Sequence, residues 1–154
     1  MPYENPTDEE LRALLSSSRT IAMVGASSDP GRPSWGVMKF LLRLGYHVIP
    51  VSPFEAEVHG QRAFASLGEI PEPVDIVDVF RRADATPRIA DEAAAIGARA
   101  LWLQLGIFSE EAARRGNAGG LMVIMDRCIA ETARALGIDS AAAAHPSPRR
   151  TTDL

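Results

Sequence analysis

Five short apolar runs punctuate the chain: Thr20–Val24, His47–Val51, Asp75–Val79, Ala100–Gln104 and Leu121–Ile124. Between them lie stretches whose apolar residues recur at helical spacing, over Ser34–Leu44, Pro87–Ile96 and Glu110–Arg115, with a last one over Asp126–Leu136. Runs without polar alternation suit strands covered on both faces, and strands of that kind are parallel ones joined by helical crossovers. The alternation predicts an α/β fold: a Rossmann-like doubly wound parallel sheet of about five strands, with helices on both faces, in a single domain. Gly45 and Gly97 stand where helix C-caps belong, each just ahead of a strand.

The flanks of this pattern read differently. Thr7 precedes three acids, Asp8, Glu9 and Glu10, and Leu11, Leu14 and Leu15 follow at helical spacing. Residues 1–19 are therefore expected to hold a capped helix packed on a domain spanning 20–138. The crossover from Ser52 to Pro73 carries Pro53, Pro71 and Pro73, with Pro50 just before it. It is expected to be irregular, with only a turn of helix around Ala65–Leu67. Residues 139–154 offer an alanine run and then a proline- and arginine-bearing stretch with nothing to bury, so disorder is expected there.

A chain of 154 residues fits one core. A net charge of -4 gives no electrostatic reason to expect nucleic acid. Cys128 is the one cysteine, which rules out an intrachain disulfide and points to the reducing cytoplasm. The three histidines, His47, His59 and His145, lack the spacing and neighbours of a zinc site, so no metal is expected. The first residues are acidic rather than basic and then apolar, unlike a signal peptide, and no apolar run approaches the roughly 18 residues of a membrane span. A cytoplasmic protein away from membranes is expected.

In a doubly wound sheet the ligand sits beyond the carboxyl ends of the strands, where strand order reverses. The turn after the first strand runs Gly25, Ala26, Ser27, Ser28, Asp29, Pro30, Gly31 and Arg32 before the next helix. Small residues let the backbone approach an anion, the serine hydroxyls and free amides donate, and Arg32 supplies a cation. The spacing is longer and looser than G-x-G-x-x-G, and two readings stand: a phosphate cradle, or a plain β-α connection that needs glycine to turn. The second strand narrows the ligand. It ends Val51, Ser52, Pro53, with no acid before Glu55 to hold the ribose hydroxyls of NAD and no arginine placed for NADP, since Arg62 comes too late. Its rigid apolar surface suits the face of an adenine ring, or is simply a stiff loop.

At these residues the chain resembles the stand-alone CoA-binding proteins, single-domain relatives of the CoA-binding domain of the succinyl-CoA synthetase alpha subunit. The matching segments run in order: Ala22–Ser27, Leu44–Pro53, Val74–Arg81, Leu101–Gly106 and Met125–Cys128. The resemblance implies coenzyme A or a short acyl-CoA as ligand. Its diphosphate would lie on Gly25, Ala26, Ser27 and Ser28 with Arg32 nearby. Val51, Ser52 and Pro53 would border the adenosine, and Phe80, Arg81 and Gln104 to Gly106 would close the crevice. Ser52 stands where the family leads one to expect asparagine.

No catalytic constellation is legible: there is no Ser-His-Asp order, nucleophile elbow or HExxH pattern. The phosphorylated histidine and nucleotide-binding subunit of the synthetases have no room here. His47 reads as a buried strand residue, His59 as a surface residue, and Trp35 and Trp102 as core or rim. Cys128 either packs a helix on the sheet or meets the thiol end of CoA. The chain is thus expected to bind CoA without catalysis, with an enzyme partner supplied in trans or as a homo-oligomer. The alternatives are an NAD(P)-dependent oxidoreductase and a ligand-free interaction domain of the same fold. Gly25→Glu is expected to abolish CoA binding with the fold near intact.

Overall fold

The computed structural model describes residues 3–139. Thr7 opens α1 (Asp8–Ser17) with a reciprocal cap: its hydroxyl accepts from the Glu10 amide, and the Glu10 carboxylate accepts from the Thr7 amide. Next come β1 (Thr20–Val24), α2 (Pro33–Arg43) and β2 (His47–Val51). The second crossover holds two-residue strands, β3 (Glu57–Val58) and β4 (Gln61–Arg62), and a 3-10 turn over Leu67–Glu69. Then β5 (Ile76–Val79), α3 (Thr86–Ala95), β6 (Ala100–Leu103), α4 (Glu110–Ala118), β7 (Met122–Ile124) and α5 (Ile129–Ala135) alternate.

The five longer strands form one parallel sheet in the order β2-β1-β5-β6-β7. Side chains alternate across it because successive Cβ atoms point to opposite faces. Ile21 and Met23 of β1 enter a core with Leu11, Leu14 and Leu15 of α1, Met38 and Leu41 of α2, and Ile129 and Ala133 of α5. Ala22 and Val24 enter the other, with Ile89, Ala90 and Ala93 of α3 and Ala112 and Ala113 of α4. Helices thus cover both faces, and every residue of β1, β5 and β6 is buried. The free edge of β7 is met by the N-terminal segment: the Asn5 side chain bonds both the amide and the carbonyl of Met125, and the Tyr3 hydroxyl donates to the Val123 carbonyl. The Tyr46 hydroxyl donates to the Leu15 carbonyl at 2.6 Å, and burial pushes its pKa up to about 12.

Four expectations change. The crossover after β2 is not merely irregular: Phe64 bridges to Val51, its amide donates to Pro50 and its carbonyl accepts from Ser52, so the hairpin is stitched to the sheet edge. Its helical turn lies at Leu67–Glu69 rather than Ala65–Leu67. His47 is exposed rather than buried, because it begins the edge strand and its Nε2 reaches Glu72 at 3.2 Å. His59 is not a surface residue: half-buried with a φ of 51°, it tilts against the Trp35 ring at 4.6 Å between centroids and reaches the Trp35 carbonyl. The tail expectation, save Asp139, falls on residues outside those described.

Candidate functional site

β1 is followed by chain that runs out to β2 on one side and then returns to β5 on the other, so strand order reverses between β1 and β5. Their carboxyl ends are where a crevice opens. Gly25 leaves β1 with a φ of +90°, and a Cβ there would lie 2.5 Å from the Phe80 carbonyl oxygen. Its amide donates to the Val51 carbonyl at 3.0 Å. Glycine is therefore required by the close approach of the β1 and β5 exits, and its N–H serves the sheet rather than a ligand. The same geometry overturns the expectation that Gly25→Glu leaves the fold near intact, since any side chain collides with the Phe80 carbonyl just after β5 and strains the fold itself.

The rest of the turn is largely self-bonded. The Asp29 amide donates to Ser27 Oγ at 3.0 Å, the Gly31 amide to Asp29 Oδ1 at 2.9 Å, and the Arg32 amide to the Asp29 carbonyl at 3.0 Å. Ser28 donates through both its amide and its hydroxyl to Glu55 Oε2, at 2.9 and 3.1 Å. A carboxylate from the β2–β3 loop thus sits on donors that the sequence reading assigned to a phosphate.

Two clefts open at this end of the sheet. The larger, about 620 Å³, has Gly25, Ser27, Arg32, Ser34 and Val37 on one wall and Phe80, Arg81 and Arg82 beside them; Gln104, Leu105, Ile107, Cys128 and Glu131 complete it. The smaller, about 450 Å³, lies on the α3 side and is lined by Val24, Val51, Pro53, Leu67 and Ile89 among others, with Arg88, paired to Glu92, and Asp84 beside them. Arg81 lines both. Among the described residues neither Arg32 nor Arg81 has a carboxylate within salt-bridge reach, whereas Arg82 pairs with Asp84 at 3.3 Å. Two uncompensated guanidinium groups flanking a glycine turn make an anion-attracting rim.

Of the residues singled out from sequence, Gly25, Ser27, Arg32, Phe80, Arg81 and Gln104 meet in the larger cleft, and Val51 and Pro53 in the smaller. Ala26, Ser28, Ser52 and Gly106 line neither. Ala26 is core, the Ser52 hydroxyl accepts from the Phe54 amide, and the Gly106 amide donates to Asp126 Oδ1 at 2.7 Å. Gln104 touches the cleft, yet its Oε1 accepts from the Ile129 amide at 3.2 Å, so it also anchors the start of α5. Ser34 was missed. It lies at the start of α2 only 3% exposed, and its Oγ has no partner among the described residues. Its signal was its place directly after the turn, at a helix start where side chains face the ligand end.

The CoA binding domain family matches residues 19–133. The chain belongs to that CoA-binding family. Its relatives include an uncharacterized protein of Bacillus subtilis, YneT, 42% identical over 126 residues that cover 82% of this chain and 93% of YneT. A hypothetical protein from Pyrococcus horikoshii superimposes with a TM-score of 0.82 at 34% identity, covering 88% of this chain and 99% of that one. The alpha subunit of the ADP-forming acetate–CoA ligase I of Pyrococcus furiosus is 30% identical over 88 residues, 53% of this chain and 19% of the subunit. The family resemblance read from five segments is thus shown, as is the Rossmann-like architecture.

Proposed function

We propose that this member of the CoA-binding family holds coenzyme A, or a short acyl-CoA, across the two clefts and catalyses nothing itself. The observation that carries the reading is Arg81, uncompensated and lining both clefts beside Gly25, with Arg32 on the other side of the same turn. The diphosphate lies between these two cations. The adenosine end enters the smaller cleft against Val51 and Pro53, and the pantetheine arm follows Phe80, Leu105 and Ile107 in the larger. Family membership supports CoA over other nucleotides, and the β2 terminus, without an acid at the end of the strand, supports it over NAD. Because one relative is by name the alpha subunit of a ligase, the reading extends to an enzyme partner in trans, in the cytoplasm. Among the described residues no helix is long and apolar enough to cross a membrane.

Calorimetry with CoA, acetyl-CoA and NAD tests this. CoA should bind, and Arg81→Glu and Arg32→Glu should each weaken it by about tenfold or more, since a lost charge-assisted hydrogen bond costs roughly 1.5–3 kcal/mol. Binding of NAD in preference to CoA would overturn the reading in favour of an oxidoreductase. No binding of any of them would leave an interaction domain.

A further inference from the structure

The larger cleft joins the phosphate turn to a thiol. Cys128 lies on its wall with Leu105 and Ile107, while Gly25, Ser27 and Arg32 lie on another. Resting on the CoA reading, we propose that the cleft also undergoes a stoichiometric thiol–disulfide exchange, in which Cys128 captures the disulfide form of CoA.

Three features place the sulfur for this. The residues on both sides of it are tied: Trp102 Nε1 donates to the Arg127 carbonyl at 2.8 Å, and the Ile129 amide donates to Gln104 Oε1 at 3.2 Å. Asp126, at a φ of +61°, turns the chain there, and its carboxylate accepts from the Gly106 amide. Cys128 is consequently held half-exposed on the cleft wall rather than turned into the core. It also borders an adjoining opening of about 280 Å³, shared with Leu105 and Glu131, through which a leaving thiol departs.

An independent observation marks the same cleft as built for a ligand. Ser34 lines the cleft, is only 3% exposed, and its hydroxyl bonds to no described residue. A buried hydroxyl left unpaired is costly, and a phosphate oxygen or pantetheine carbonyl satisfies it. With the diphosphate anchored at Arg32 and Arg81, the arm is steered along Phe80 and Ile107 toward the sulfur.

The exchange balances without an outside oxidant. The Cys128 thiol gives its proton to solvent, and the thiolate attacks one sulfur of CoA disulfide. A bond forms between Sγ and that sulfur as the ligand's S–S bond breaks, and the second CoA leaves as a thiolate that takes up a proton. The protein thiol is oxidised and one CoA is reduced.

The test mixes reduced protein with CoA disulfide, with pantethine, which lacks the phosphates, and with glutathione disulfide, and follows adducts by intact mass. One CoA should attach through the single cysteine, at least about tenfold faster than either other disulfide reacts, because anchoring raises effective concentration. Reduced CoA should slow it by competition. Equal rates for the three disulfides, no adduct, or no slowing by reduced CoA overturns the exchange. Calorimetry of reduced protein with CoA separates the two claims: binding without exchange sinks this proposal alone, and absence of binding sinks the CoA reading beneath it.

Discussion

Asp78 lies in the middle of the sheet, between Met23 of β1 and Trp102 of β6, with neither carboxylate oxygen bonded to any described residue. It shares its face with Ile76, so it points into the core beneath α1, α2 and α5. Complete burial raises its pKa well above the ordinary 3.8, since the charged form has lost its water. The folded protein then keeps a proton that the unfolded chain releases. Stability is full below the unfolded value and is lost as pH rises from there through the raised folded value, at up to about 1.4 kcal/mol per pH unit. Asp78→Asn should remove that slope. Urea unfolding of both proteins across pH 4 to 8, a range chosen about the ordinary carboxyl value, should show the variant gaining on the wild type as pH rises; parallel curves would mean that Asp78 finds a partner.

Glycine acts differently in an element than in a turn. In α4, Gly116 faces β7, and a Cβ there would lie 2.6 Å from Val123 Cγ2. Replacing glycine by alanine in a helix ordinarily gains roughly 1 kcal/mol, but overpacking a well-filled core costs about 1–3 kcal/mol, and here the clash is with a short branched side chain. Gly116→Ala should therefore destabilise, and Gly116→Ala with Val123→Ala should cost less than the two separate losses combined; additive losses in chemical unfolding would place the clash elsewhere. Helices and parallel strands of this kind are legible in sequence because each depends on its own period. The β3–β4 hairpin was not, because strands of two residues carry no period and persist through Phe64 and the edge of β2. The site divided likewise. Gly25 and Arg32 follow from the rule that ligands meet strand ends, and Arg81 came with the family resemblance. Ser28 did not, because Glu55, distant in sequence, takes its donors, and Ser34 and Cys128 share a cleft only because α2 and α5 pack on one face of the sheet.

At the scale of the molecule, charge and site oppose each other. The chain carries a net charge of -4, so its overall field repels a polyanionic ligand such as CoA, while Arg32 and Arg81 at the sheet's carboxyl end attract it locally. Salt screens both. The distant repulsion acts beyond the roughly 8–10 Å Debye length of physiological salt and is already damped there, so further salt chiefly weakens the short-range attraction. CoA affinity should fall as salt is raised from physiological strength. In Arg32→Glu with Arg81→Glu the local term changes sign, and whatever binding remains should rise with salt. Calorimetry over a salt series reads both slopes. If the double variant kept the downward slope of the wild type, other cations of the two clefts would hold the phosphates.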